Sequence, residues 1–291
     1  MIKAVWKEKA VKLMLFATAS TSILIVIGIF VFVGKEAGHF AVEPGLQELF
    51  GSRWMPVSFQ KESYGLLPLI TGSLLVTALA TALTIPFGVG AAVYIAELAR
   101  PAEREVLKPF IEILAGIPSV VIGFFGLVVL VPLIKSIFNL STGLTALAGG
   151  VLLALMAIPT VVSISEDAIR SVPSSFKAAS LALGASKMQT IWKVTVPAAL
   201  PGIVAAIMLG IGRVIGETMA VMMVTGNAAV ITASPFDSVR TMTATIAAEM
   251  GEVAFGSIHY RALFCVGIVL LLATFGLNLI AQRFLKRYRM G

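Results

Sequence analysis

The feature that most constrains this chain is a series of long apolar runs that carry almost no charge. A helix needs about 20 apolar residues to cross the hydrocarbon core of a bilayer. Runs of that size occur six times, and only the fifth contains any charged residue. We therefore predict an all-α membrane protein with six transmembrane helices, drawn from Leu13–Val33, Gly65–Ala96, Ile113–Ile134, Ser136–Ser165, Val194–Phe236 and Ala262–Gln282.

The composition excludes an ordinary soluble enzyme. Hydrophobic residues make up 58% of the chain and charged residues only 13%, whereas a soluble domain has about 25% charged residues. A water-soluble fold of this length cannot bury so much apolar surface. The net charge of +7 does not point to a nucleic acid partner, because lysines and arginines collect on the cytoplasmic side of membrane proteins.

The lysines and arginines also predict the orientation. Most of the 22 lie near the two termini and in the stretches 100–108 and 170–193, so the positive-inside rule places both termini in the cytoplasm. A second outer segment, about Gly226–Tyr260, contains a helix-like stretch, Thr241–Met250, that we expect to dip back toward the pore. The predicted parts are a cytoplasmic N-terminus (1–12), a first transmembrane helix kept as an anchor (13–33), a periplasmic loop (34–64), a five-helix core (65–282) with a cytoplasmic loop (166–197), and a basic cytoplasmic tail (283–291).

Two charges, Arg213 and Glu217, interrupt the fifth apolar run. In a helix that starts near Ala199, Arg213 would lie roughly 21 Å along the axis. Each charge at such a depth costs about 2.5–3.5 kcal/mol. Since a spacing of four residues places two side chains on one helix face, we expect the pair to neutralise each other and to face a pore. The alternative is an ion pair that only ties helices together.

The chemistry of this pair suits a protonated oxyanion. An arginine offers a planar fork of donors to a tetrahedral oxyanion, while a neighbouring carboxylate can accept a hydrogen bond from a phosphate O–H. Sulfate has no such proton at neutral pH, so the pair predicts phosphate in preference to sulfate. Ser119, after Pro118 at an expected helix break, is a further candidate contact. The alternative for Ser119 is that it satisfies backbone groups freed at the kink.

The predicted cytoplasmic loop is the second informative segment. Between Lys177 and Pro197 an alanine-rich stretch is followed by Gly184 and then by an apolar stretch that stops at the proline. This order predicts two short helices around a turn. A compact helical hairpin of this kind suits docking to a partner protein, and the alternative is an ordinary connection between two membrane helices.

The spacing within this loop resembles the EAA loop of ABC importer permeases. That loop has three small or acidic residues, a glycine four places after the last of them, and an apolar stretch that ends in proline. The matching positions here are Ala178, Ala179, Ser180, Gly184, Val194 and Pro197. Ala178 departs from the pattern, because the family usually has glutamate there, and no salt bridge from this position to an ATPase is expected.

Other stretches resemble the phosphate-specific permeases of this superfamily, in particular the PstC type. Gly212–Ala220, which contains Arg213, Glu217 and Thr218, resembles their fifth helix, and Gly116–Gly123, which contains Ser119, resembles their third. Trp54–Pro56 followed by Gly65–Pro68 favours the PstC type over its PstA partner. The resemblance implies a type I (MetI-like) permease fold and a role in phosphate passage for Arg213 and Glu217. Thr218 and Ser119 are further candidate residues of the same path.

The resemblance also implies the partners: a PstA-like permease, two cytoplasmic ATP-binding subunits, an external phosphate-binding protein and the surrounding lipid. The chain has no phosphate-binding loop of its own, so we expect a transport subunit that is not an enzyme and that holds no cofactor or metal. Three alternatives stay open. They are a permease for another oxyanion such as molybdate or sulfate, an ion-coupled secondary transporter, and a membrane scaffold or sensor.

Overall fold

Helices make up most of the structure, a computed structural model that describes residues 2–58 and 61–289. Two short antiparallel strands, β1 (Trp54–Met55) and β2 (Ser63–Tyr64), form a hairpin with Trp54 opposite Tyr64. The helices are α1 (Ile2–Phe40), a 3-10 turn (Leu46–Phe50), α2 (Leu67–Leu98), α3 (Pro101–Ala115), α4 (Ser119–Ile137), α5 (Ala146–Arg170), α6 (Ser174–Ala182), α7 (Lys187–Gly216), α8 (Met219–Val224), α9 (Met242–Glu249) and α10 (Ile258–Arg289).

Six of these helices are long and apolar enough to cross a membrane: α1, α2, α4, α5, α7 and α10. The prediction of an all-α membrane protein with six transmembrane helices is therefore confirmed. α2 stays helical through Pro86 and ends with a wide π-helical turn, Tyr94–Leu98. The third apolar run is divided, because its first residues belong to the amphipathic helix α3, and α4 begins only after Pro118.

The fifth apolar run does not form one continuous crossing. Helix α7 begins at Lys187, well before the run, and ends at Gly216 after 30 residues, which at 1.5 Å per residue is about 45 Å. That length already exceeds the roughly 30 Å of a bilayer core. The rest of the run forms the short helix α8 and a loop in which Gly226 bridges Val239.

Helix α5 is the centre of the bundle, with α2 and α7 packed against it. The most apolar stretch of α5 is 61% buried, compared with 22% for α2 and 28% for α7. Glycines allow the close approach: a Cβ on Gly150 would lie 2.6 Å from Leu79 Cβ, and a Cβ on Gly210 would lie 2.6 Å from Val161 Cγ2. Small residues at such contacts are the usual means by which membrane helices pack.

A half-buried carboxylate ties the β1–β2 hairpin to α9 and α10. Glu249, at the end of α9, accepts hydrogen bonds from Trp54 Nε1 at 3.1 Å and pairs with Arg240 at 2.7 Å and with His259 at 2.8 Å. An open cavity of about 820 Å³ lies beside this group. Glu249 therefore joins the predicted outer loop to the second predicted outer segment and the start of α10.

Candidate functional site

The site is built around the break between α7 and α8. α7 ends at Gly216, and Glu217 has extended backbone angles (φ −71°, ψ 133°). Its Oε1 accepts hydrogen bonds from the backbone N–H groups of Thr218 at 3.1 Å and Ala220 at 3.4 Å. Since the N-terminus of a helix carries a positive partial charge, Glu217 stabilises the start of α8 and needs no arginine to compensate it.

Arg213 lies in the last turn of α7 and points to a different helix. Its Nη1 donates to Thr160 Oγ1 of α5 at 3.2 Å. A cation is favoured at this end of a helix, where the macrodipole is negative. Within the described residues the other N–H groups of the guanidinium make no hydrogen bond, and Arg213 and Glu217 form no ion pair.

The expectation that Arg213 and Glu217 share a helix face and neutralise each other is therefore wrong. The four-residue spacing has this consequence only inside a continuous helix, and the helix ends before Glu217. Arg213 is stabilised instead at the C-terminal end of α7, and Glu217 at the N-terminal end of α8. The break leaves unpaired donors on Arg213 and an uncommitted Oε2 on Glu217 among the described residues.

The start of α9 holds this break in place. Thr243 donates from Oγ1 to the carbonyl oxygen of Glu217 at 2.8 Å, and Thr218 donates to the carbonyl of Gly216 at 3.2 Å. Thr241 caps α9 by accepting from the N–H of Ala244 at 3.2 Å. The helix expected within Thr241–Met250 is thus present and touches the candidate site, and the carbonyls of Gly216 and Glu217 at the break each accept a threonine hydroxyl.

Ser119 lies at the start of α4, which packs on α8. A Cβ on Gly123 would lie 2.9 Å from Ala220 Cα, and further along both helices Gly126 meets Val224. The two helices therefore run in the same direction, and Ser119 lies on the same side of the contact as Glu217. Its hydroxyl makes no hydrogen bond within the described part of the chain, so it does not satisfy the backbone at the kink.

The predicted cytoplasmic hairpin has the local geometry that the sequence indicated. Gly184 adopts φ +85°, a conformation that L side chains rarely take, and turns the chain after α6. Ser186 and Gln189 then form a reciprocal capping box at the start of α7, with hydrogen bonds of 3.3 and 2.9 Å. Across the hairpin Ser180 Oγ lies 2.9 Å from Thr190 Oγ1.

Pro197 does not stop the second helix of this hairpin, contrary to the sequence prediction. The segment Ile191–Thr195 is a π-helical turn, in which Val196 donates to the carbonyl of Ile191. The wider turn accommodates the proline, which has no N–H to donate. α7 consequently continues from the hairpin through Val194 and Pro197 toward Arg213, so one helix connects the two candidate sites.

One face of the hairpin is anchored and the other is exposed. Lys177 forms an ion pair with Glu97 at the end of α2. Ala178 and Ala179 are exposed, and large apolar side chains stand free around them: Phe176, Leu181, Leu183, Met188 and Trp192. Leu183 is 90% exposed. An exposed apolar surface of this kind is typical of a protein–protein contact.

Sequence reasoning missed a buried charge cluster beside the hairpin. The Glu166 side chain is 2% exposed and pairs with Arg104 at 2.6 Å, Lys108 at 3.0 Å and Arg170 at 3.4 Å. The pKa of Lys108 is raised, mainly because the lysine donates a hydrogen bond to Glu166. Only the i,i+4 spacing to Arg170 signals this cluster in the sequence, because α3 supplies the other two cations from about 60 residues away.

Comparison with known proteins matches this chain to permease components of transporters. Residues 84–290 match the family model described as "Binding-protein-dependent transport system inner membrane component". The chain is 40% identical over 280 residues to the probable ABC transporter permease protein YqgH of Bacillus subtilis, covering 94% of this chain and 90% of that protein. It is 35% identical over 262 residues to the phosphate transport system permease protein PstC of Mesorhizobium japonicum, covering 84% and 79%.

Two solved structures share the fold. One belongs to a bacterial alginate ABC transporter in complex with an alginate-bound periplasmic protein, with a TM-score of 0.69 at 15% identity over 98% of this chain and 96% of that chain. The other is the inward-facing MetNI methionine ABC transporter, with a TM-score of 0.57 at 21% identity over 77% and 94%. The expected fold of type I ABC importer permeases is thereby confirmed.

Proposed function

Because the chain belongs to the family of binding-protein-dependent transport system inner membrane components, we propose that it carries phosphate through an ATP-driven importer. Family membership makes the chain a multi-pass inner membrane protein and a permease component without a catalytic site of its own. It also implies ATPase subunits and a periplasmic binding protein. An ion-coupled carrier or a scaffold does not fit this family.

The observation that carries the proposal is the unpaired chemistry at the helix break. Arg213 keeps N–H donors for the oxygens of an anion, because only Nη1 is used, on Thr160. Glu217 Oε1 is held by two backbone N–H groups, so Oε2 is the oxygen that can accept a P–O–H hydrogen bond. Ser119, on the adjoining helix α4, adds a hydroxyl without a hydrogen bond in the described residues, whereas the Thr218 hydroxyl donates to Gly216 and could only accept. This combination of donors and one acceptor suits a partly protonated oxyanion, which favours phosphate over sulfate and molybdate.

The proposed partners follow from the same reading. A PstA-like second permease would complete the pathway, and an external phosphate-binding protein would deliver the substrate. Two ATP-binding subunits would dock on the hairpin around Ala178, Ala179, Ser180 and Gly184. Because α7 runs without interruption from that hairpin to Arg213, a movement of the docked ATPase would be transmitted along one helix to the site, as alternating access requires.

The proposal is tested by uptake into proteoliposomes that hold the complete complex. Labelled phosphate, sulfate and molybdate are supplied in turn with the matching binding protein outside, with and without ATP inside. We expect ATP-dependent accumulation of phosphate alone. Equal uptake of phosphate and sulfate, or uptake that an ion gradient drives without ATP, would contradict the proposal.

The variant Glu217→Gln tests the selectivity directly. The glutamine Oε1 can still cap α8, while its amide group donates where the carboxylate accepted a phosphate proton. We expect the ratio of phosphate to sulfate transport to fall about ten-fold, the value of roughly one charge-assisted hydrogen bond. Glu252→Gln, an exposed change in the second outer segment, serves as the control and should leave the ratio unchanged.

The variant Leu183→Asp tests the docking role of the hairpin. Its side chain is 90% exposed, so the permease itself should fold normally, but a charge buried at an apolar interface is costly. We expect about ten-fold less ATPase subunit to co-purify with the permease and a parallel fall in uptake. Val57→Asp, at a position that is 83% exposed in the predicted outer loop, should retain the ATPase. Loss of the ATPase in both variants would argue against docking at the hairpin.

A further inference from the structure

Helix α2 carries a line of hydroxyl groups along one of its faces. Ser73, Thr77, Thr81 and Thr84 are spaced by four, four and three residues, which places them along one helix face. Together they are called here the α2 hydroxyl line. The face they occupy looks toward α7, whose residues line the same cavities.

Two narrow cavities follow this line between α2 and α7, and both are too tightly packed in this structure to hold an anion. The first is bordered by Ser73 and Thr77 and, on the other side, by Glu217 and Thr243. The second is bordered by Thr81 and Thr84 and by apolar residues of α7 that include Ile211. Val214, next to Arg213 in the chain, borders both cavities. The line therefore leads from the helix break past the level of Arg213 to the level of Gly210 on α7.

The hydrogen bonding of these hydroxyls changes along the line. Ser73 is fully engaged, since it donates to Leu69 O at 2.8 Å and accepts from the N–H of Met242 at 2.9 Å. Thr84 is only 5% exposed, and its hydroxyl has no hydrogen-bond partner within the described residues. A threonine in a helix commonly donates to the carbonyl four residues earlier, as Thr71 does to Leu67 at 2.9 Å. Thr84 does not, although an unsatisfied buried hydroxyl lowers stability.

We propose that the α2 hydroxyl line is a binding track for the transported oxyanion that starts beside Glu217 and continues past the level of Arg213. Neutral hydroxyl donors would replace water around the anion one after another and would not trap it as a second arginine would. In this structure apolar residues of α7 cover the inner part of the line, so the track opens when α7 moves relative to α2. This inference rests on the proposed function and adds the residues that line the path.

The test compares Thr84→Val and Thr84→Ser in the complete complex in proteoliposomes, with labelled phosphate and its binding protein. Valine keeps the shape and removes the donor, whereas serine keeps the donor. We expect Thr84→Val to lower the maximal uptake rate about five-fold at an unchanged half-saturating phosphate concentration, and Thr84→Ser to retain the rate. The midpoint of thermal unfolding of Thr84→Val should stay the same or rise, because an unsatisfied buried hydroxyl is gone.

Thr71→Val is the matched control, since Thr71 lies on the same helix, bonds to its backbone and borders neither cavity. It should transport at the wild-type rate. Uptake by Thr84→Val at the wild-type rate would contradict the proposed track. A lower uptake rate that is fully explained by a smaller amount of folded complex would contradict it as well. Failure of the wild-type complex to import phosphate would instead refute the proposed function, so the two failures are distinguishable.

Discussion

Arg213→Gln should lower ATP-driven phosphate uptake about 100-fold while the complex still assembles. The guanidinium would meet the anion at a site shielded from water, where removing one partner of a charged pair costs about 2–5 kcal/mol. Glutamine can keep the hydrogen bond to Thr160 that Arg213 Nη1 now makes, so packing between α7 and α5 is retained. The measurement is the initial rate of labelled phosphate uptake per reconstituted complex.

Two further variants show whether the fork of donors is what matters. Arg213→Lys keeps the charge but loses the planar, bidentate geometry, and an intermediate rate is expected. Arg100→Gln removes an equal charge at an exposed position before α3 and should transport normally. Wild-type uptake by Arg213→Gln would remove this residue from the pathway.

Glu166→Gln should destabilise the permease by about 2–3 kcal/mol, the largest stability effect that we expect from a single neutral replacement. The Glu166 side chain is 2% exposed, and three cations converge on it. Those cations are 25%, 34% and 48% exposed, so water compensates part of their loss. The effect is measured as a lower midpoint of thermal unfolding of the purified protein in detergent.

Asp167→Asn is the matched control for this cluster. The neighbouring carboxylate is 70% exposed and lies 3.5 Å from Lys108, and exposed pairs contribute about 0–1 kcal/mol. We expect its unfolding midpoint to stay close to that of the wild type. An equal loss of stability in both variants would mean that burial of Glu166 is not what makes this cluster important.

The pH dependence of this cluster has a definite sign. The pKa of Lys108 is raised, chiefly by its hydrogen bond to Glu166, so the folded protein binds the lysine proton more tightly than the unfolded chain. The stabilisation is therefore complete below the ordinary lysine pKa and disappears as the pH rises through the raised value. The difference between wild type and Glu166→Gln should accordingly narrow in strongly alkaline solution and not near neutrality.

Local patterns predicted the elements of this fold well, because their causes are local. Each of the six membrane helices in the described residues overlaps one of the apolar runs, since only a helix satisfies its own backbone in lipid. Gly184 marks the turn of the hairpin through its positive φ, and Ser186 marks the start of α7 through its capping box. The prediction that the helix ends at Pro197 was wrong, because the π-helical turn before the proline accommodates a residue without an N–H donor.

The sequence predicted the charged residues of the candidate site but not their arrangement. Arg213 and Glu217 could be identified because they are the two charges in an apolar run. Their four-residue spacing predicted an ion pair, but the helix ends between them and separates the two side chains. No proline or strong turn sequence marks that break; contacts with α9 hold it, among them the hydrogen bond from Thr243 to the Glu217 carbonyl. The sequence also could not predict that the Thr84 hydroxyl has no partner, because its neighbours on α7 are more than 120 residues away in the chain.

What the sequence alone determined is the class of molecule and its helices, because insertion into a bilayer depends on the apolar content of each segment by itself. The tertiary structure decided which polar groups meet: Arg213 with Thr160, Glu217 with the start of α8, and Glu166 with α3. In an apolar surrounding an unpaired polar group is costly, so each takes the nearest partner that the packed helices bring to it. Those partners come from distant parts of the chain, and only the packing of the whole bundle selects them.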